Sequence, residues 1–200
     1  MEFDKEQISG MKIFIVDDVP SNLDILGHIL QRNGLKVSIA PTGEKALELV
    51  SLDKPDLILL DVRMPDMDGY EVCRKLKADV HSKDIPVIFI TAMADTGDLV
   101  QGYKVGGVDY IAKPFHEEEV VCRITTQLKL KRAQDEVIRR EKFYRVIVES
   151  VPDLIFQLDP DWKIVFANPA FRLLGYDPAQ LVGRPVGELI ESDNKENLLK

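Results

Sequence analysis

Five polar side chains stand where short apolar runs stop. Asp17 and Asp18 follow KIFIV (12–16), Asp61 follows DLILL (56–60), Thr91 follows PVIFI (86–90) and Lys113 follows VDYIA (108–112). Carboxylates crowded together disfavour one another's ionisation unless a cation compensates. A hard divalent ion suits the purpose, because carboxylate and backbone oxygens are the ligands of Mg2+, which keeps several waters and accepts a phosphoryl oxygen besides. A carboxylate is also a competent nucleophile toward phosphorus, and a protein catalyses such transfer mainly by positioning and by neutralising charge. Three carboxylates and one ammonium leave two negative charges, which one Mg2+ cancels.

These side chains can meet only if the runs are neighbouring strands ending at one sheet edge. With KVSIA (36–40), the runs make five strand candidates, and the third and fourth are almost wholly apolar, as strands covered on both faces must be. Amphipathic stretches fill the gaps: Leu23, Leu26 and Leu30; Ala46, Leu49 and Val50; Val72 and Leu76; Leu99 and Tyr103; Val121, Ile124 and Leu128. Asn33-Gly34 and Gly106-Gly107 supply stops. Alternating βα units with right-handed crossovers predict a flavodoxin-like, doubly wound parallel sheet of order 2-1-3-4-5. In that order the first and third strands adjoin, so Asp17, Asp18 and Asp61 converge.

Composition fits a globular chain. Of its 200 residues 45% are hydrophobic and 30% charged, and no apolar run approaches the roughly 20 residues of a spanning helix. The amino terminus MEFDKEQISG carries acids where a secretory signal needs bases and an apolar stretch, so residues 1–10 read as a disordered lead-in of a cytoplasmic protein with no membrane partner. The net charge of -8 argues against nucleic acid as the main partner. Cys73 and Cys122 have neither metal-ligand spacing nor a disulfide framework and read as reduced, buried thiols. His28, His81 and His116 read as solvated or capping residues, and Asp66 and Asp68 as turn formers.

The motifs VDD (16–18), LLDVRMPDMDG (59–69), ITA (90–92) and YIAKPF (110–115) resemble the response-regulator receiver domains of two-component signalling, over roughly residues 11–128. The resemblance implies that Asp61 is the phosphoacceptor. It implies that Asp17, Asp18, Asp61 and the backbone carbonyl of Arg63 hold Mg2+, with Asp18 and Asp61 the more direct ligands. Thr91 and Lys113 would stabilise the phosphoryl group, and the Lys113-Pro114 bond would be cis. It also implies a switch in which Thr91 moves and Tyr110 turns inward, reshaping the face of the fourth helix, fifth strand and fifth helix. A histidine kinase or phosphotransfer protein would be the donor, and a downstream output domain the recipient of the signal. Such a domain is a signalling phosphoacceptor, not an enzyme turning over substrates. The competing reading is an aspartyl-nucleophile phosphatase or phosphotransferase on a Rossmann-like sheet. Such enzymes place a general acid two residues after the nucleophile, where this chain has Arg63. A flavin or nucleotide module is disfavoured by Asp18-Val19-Pro20, which stands where a Gly-rich phosphate loop belongs.

Residues 116–148 contain neither Pro nor Gly, so the fifth helix is expected to run on as a linker over 129–150. Leu130, Ala133, Val137, Tyr144, Ile147 and Val151 can form an a/d seam, interrupted by Arg140, which allows either a homodimer through residues 128–151 or a lone solvated helix. Beyond it DLIFQLD and KIVFANPAF read as two strands turning at Pro160-Asp161. With LLGYDPAQLVGRPVGELI they resemble the start of a PAS sensor domain; Phe166, Asn168, Pro169, Gly175, Tyr176 and Gly183 carry the likeness. Residues 151–200 are therefore expected to be an incomplete PAS-like α+β unit, part of a longer protein or loosely packed, with Trp162 and Phe166 in its core.

Overall fold

The structure, a computed structural model, describes residues 8–92 and 96–189. The chain divides into two compact units, Met1–Gln134 and Asp135–Lys200.

In the first unit β1 (Lys12–Val16), β2 (Lys36–Ala40), β3 (Leu57–Asp61), β4 (Val87–Thr91) and β5 (Asp109–Ala112) form one parallel sheet of order β2-β1-β3-β4-β5. This is the expected architecture, with each strand bound displaced by no more than a residue. Successive strand side chains point to opposite faces, so the sheet feeds two cores. Ile13, Ile15, Leu57, Leu59, Ile88 and Ile90 pack with α1 (Pro20–Arg32) and α5 (Glu117–Ser150). Phe14, Val16, Ile58, Leu60, Val87 and Phe89 pack with α2 (Gly43–Leu52) and α3 (Gly69–Ala78), with Leu99 of α4 (Thr96–Lys104) against them. Thr42 caps α2 through Lys45 N, and Asp68 caps α3 by accepting from Glu71 N at 2.7 Å. Lys77 reaches from α3 to donate to the carbonyls of Lys83 and Ile85, which ties the approach to β4.

Three expectations need correction in this unit. Ile8, assigned to a loose lead-in, is 2% exposed and packs with Leu30 and Leu35, while Gly10 N donates to Gly34 O. One apolar residue among polar neighbours gives no periodic signal, so its burial is decided by the crevice beside α1. Residues 1–7 lie outside the described residues. The buried stripe of α5 is Val120, Ile124 and Leu128, not Val121. Cys122 consequently falls on the outer face and is exposed, whereas Cys73 is buried with its Sγ toward Val105 O.

Helix α5 continues unbroken from the first unit into the second, as 34 residues without a glycine or proline. Leu130, Val137, Tyr144 and Ile147 of the expected seam are all exposed, along with Phe143 and Val146.

The second unit holds an antiparallel pair, β6 (Phe156–Leu158) and β7 (Ile164–Ala167), a 3-10 stretch Pro169–Leu174, the short α6 (Pro178–Leu181) and a 3-10 turn Val186–Glu188. Its core is small: Ile164, Ala167, Phe171 and Leu181, with Leu158, Val186 and Leu189 against them. Trp162 and Phe166 do not join it. Trp162 takes a left-handed conformation (φ 61°) at the end of the turn that Asp159 closes, and is 57% exposed; Phe166 is also exposed. Among the described residues no helix is long and apolar enough to cross a membrane.

Asn168 is the buried polar anchor of this unit. Its Oδ1 accepts from Ile155 N at 3.0 Å, while its Nδ2 donates to Asp153 O (2.9 Å), Val148 O (3.1 Å) and Val151 O (3.3 Å). Asn168→Ala strands these main-chain groups without replacement. It is expected to destabilise the second unit by roughly 2–3 kcal/mol. Urea unfolding followed through Trp162, the chain's single tryptophan, measures the loss.

Candidate functional site

The winding of the sheet reverses between β1 and β3, and a doubly wound sheet opens its crevice at the carboxyl ends of such a pair. Asp17 is the first residue past β1 and Asp61 the last of β3, and both are buried. Each is held by the main chain of its own loop. Asp17 Oδ1 accepts from Val19 N at 2.9 Å, and Asp61 Oδ2 accepts from Arg63 N at 2.9 Å. Asn22, in the first turn of α1, donates its Nδ2 to both oxygens of Asp17, at 3.0 and 2.9 Å.

The remaining oxygens share one cation. Lys113 Nζ lies 2.6 Å from Asp61 Oδ1 and 3.0 Å from Asp17 Oδ2. Lys113 follows β5, its amide donates to Thr91 O at 2.8 Å, and its bond to Pro114 is cis. Thr91, buried, closes β4 beside Asp61's strand.

The electrostatics are unequal. Burial, reinforced by the charge of Asp17, outweighs Lys113 and the Arg63 amide and raises the Asp61 carboxyl above its ordinary value. Burial also works against the charge of Lys113, but its bonds to Asp61 and Asp17 prevail and hold the ammonium above the ordinary lysine range. A bridged acid would ordinarily be lowered, so the rise at Asp61 marks a carboxylate that its single ammonium does not fully compensate.

Five residues were expected to converge; the structure gathers Asp17, Asp61 and Lys113, and joins Thr91 through its backbone. Asp18 is exposed and takes no part in these hydrogen bonds. Consecutive residues of an extended chain point opposite ways, so turning Asp17 inward turns Asp18 out. Among the described residues no three His, Cys, Asp or Glu side chains form a ready-made metal cage. The donor set of carboxylates and main-chain oxygens, still short of positive charge, fits a hard divalent ion that keeps most of its waters.

Two residues that build this site carry no chemical signal in the sequence. Asn22 is visible only as a helix-terminal amide five residues after Asp17. At Gly69 a Cβ would sit 2.2 Å from Asp61 O, so the bare glycine lets the start of α3 close on the strand end, where its amide donates to Val62 O. Tyr110 is 7% exposed, with its hydroxyl donating to Leu99 O at 3.1 Å; burial foremost, then neighbouring Tyr70, raises its phenol. His28 Nδ1 lies 2.7 Å from Asp24 O on an exposed helix face.

Fold and site together have the arrangement of a receiver domain of the two-component class. The model of the response regulator receiver domain matches residues 13–125, and that of the PAS fold matches residues 142–200. The chain belongs to the response regulator receiver family, followed by a PAS fold. It is 41% identical over 130 residues to the response regulator PleD of Caulobacter vibrioides, covering 65% of this chain and 29% of that protein. It is 39% identical over 125 residues to the DNA-binding response regulator MtrA of Mycolicibacterium smegmatis, covering 62% of this chain and 53% of that one. The crystal structure of a putative response regulator from Chloroflexus aurantiacus aligns with a TM-score of 0.59 at 32% identity, over 60% of this chain and 99% of that chain. The chain thus spans about a third to a half of these curated relatives. The expectation of no nucleic-acid partner rested on net charge alone and is not supported, since MtrA is named a DNA-binding response regulator.

Proposed function

We propose that Asp61 accepts a phosphoryl group from a histidine kinase or phosphotransfer protein and thereby switches the chain between two signalling states. The observation that carries this is the buried Asp61 carboxylate, fixed on one oxygen by Arg63 N and bridged on the other by Lys113 to Asp17. In the transfer a carboxylate oxygen of Asp61 forms the new bond to phosphorus, and the donor leaves with the electron pair of the bond it breaks. The Lys113 ammonium neutralises the incoming oxygens, and the Thr91 hydroxyl donates to one of them. Asp17, Asp18, Asp61 and the Arg63 carbonyl would hold Mg2+, which would supply the remaining positive charge. Thr91 and Tyr110 then reset the α4-β5-α5 face, which acts on the PAS unit and an output module.

Incubation with acetyl phosphate and Mg2+, followed by intact mass, tests the reading against Asp61→Asn. Uptake of one phosphoryl group by the unmutated chain alone supports it, and continuous phosphate release at enzyme rates supports the phosphatase reading instead. Arg63 at the position of that class's general acid favours the acceptor.

The domain limits follow the same reading: a receiver over 11–128, a helical linker over 129–150 and a PAS-like unit beyond. The apolar residues exposed on the linker favour pairing with a second copy through residues 128–151. Sedimentation velocity is expected to find a dimer that Val137→Glu weakens by about tenfold or more, since a charge there enters the seam of both helices. A monomer at high concentration, phosphorylated or not, removes the pairing.

A further inference from the structure

Under α4 lies an aromatic cluster. Tyr70 meets Phe89 edge-on at 5.1 Å, Phe89 lies 5.5 Å from Tyr110, and Tyr103 meets Tyr110 edge-on at 5.5 Å. Tyr110 fills the space between sheet and helix, while Tyr103 is exposed. What leaves that space open is Gly102. A Cβ built there would stand 1.7 Å from Tyr110 Oη, 2.7 Å from its Cζ and 2.9 Å from Phe89 Cε2.

Backbone geometry does not call for glycine at this position. Gly102 sits within α4 and is not among the glycines with positive φ, unlike Gly106 at the helix's end. Glycine is a poor helix former, so its presence inside a helix calls for a packing reason. Here that reason is the tyrosine ring, whose hydroxyl reaches Leu99 O one turn earlier in the same helix.

We infer that Gly102 is a positioning residue for the switch: the side chain it lacks is what admits Tyr110 to its inward site beneath α4. The functional consequence rests on the phosphoacceptor reading. If the inward ring and the phosphorylated state favour each other, a methyl group at 102 that expels the ring must also weaken phosphorylation, because such coupling is reciprocal. Gly102 would thus set how readily the domain enters its switched state without touching Asp61.

The test compares the unmutated chain with Gly102→Ala. Nitration by tetranitromethane, located by peptide mass, reports Tyr110 exposure, with the exposed Tyr144 and Tyr176 as internal references. Nitration of Tyr110 is expected to rise at least about tenfold in Gly102→Ala, a modest population shift toward the outward ring. The extent of phosphorylation reached with acetyl phosphate and Mg2+ is expected to fall several-fold. Tyr110 remaining protected overturns the inference. An exposed Tyr110 with unchanged uptake overturns its coupling to the switch. If neither protein takes up a phosphoryl group, the phosphoacceptor reading falls, and nitration still decides the role of Gly102. Should Gly102→Ala melt at a lower temperature, the deficit is expected to shrink once Tyr110 is also alanine, with Phe89 accounting for any remainder; an undiminished deficit overturns the inference.

Discussion

Asp61→Asn is expected to take up no phosphoryl group from acetyl phosphate and Mg2+, and at neutral pH in chelator to be more stable than the unmutated chain. The first effect follows from the chemistry of the acceptor. An amide keeps the shape and the hydrogen bond from Arg63 N but not the nucleophilic oxygen, so uptake falls by at least about a thousandfold, as when enzymes lose a member of their nucleophilic machinery. The second follows from linkage. Asp61 holds its proton more tightly folded than unfolded, so stability is lost as pH rises through its raised folded value and is retained below the ordinary carboxylate value of 3.8. Asparagine carries no such cost. Paired denaturation curves from acid to neutral pH should therefore diverge upward from about the ordinary carboxylate range. Curves that stay parallel would show that the charge of Asp61 is fully compensated in the fold.

Lys113→Met should do the opposite. The ammonium is the only cation bonded to Asp17 and Asp61 among the described residues, and methionine leaves two buried carboxylates facing one another. Removing one partner of a buried ion pair is strongly destabilising. Since the Lys113 side chain is 23% exposed, a discounted loss of about 2–4 kcal/mol at pH 8 in chelator is expected. The loss should shrink on acidification, because Asp61 already favours its proton and neutralising it removes the repulsion. Added Mg2+ should recover part of the deficit at pH 8 by replacing the missing charge. Urea titrations at two pH values, with and without Mg2+, measure all three effects. A variant indifferent to both pH and Mg2+ would mean that the site is not held by charge balance.

The sheet was legible because β1, β3 and β4 are buried on both faces and read as apolar runs, and the meeting of Asp17, Asp61 and Lys113 was legible because these residues stand at the ends of such runs. What escaped depends on three-dimensional fit. Asn22 looks like any helix-terminal amide until α1 swings it over Asp17. Gly69 and Gly102 are informative only through the atoms a side chain would strike. Asp17 and Asp18 are adjacent acids in the sequence, and nothing in their spacing says which turns inward. Ile8 is buried by a crevice rather than by a pattern, and Trp162 is exposed because the turn closed by Asp159 puts it in a left-handed conformation despite its bulk. Most of the expected linker seam is exposed in the structure, as are Ile138, Phe143 and Val146 outside it, and periodicity does not show what covers such residues.

The four bonds of Asn168 make the junction after α5 a weld. One amide grips carbonyls from the helix's last turn and just beyond it, and also the backbone amide that leads into β6. The helix's last turn can therefore fray only by breaking bonds that also hold the backbone entering β6.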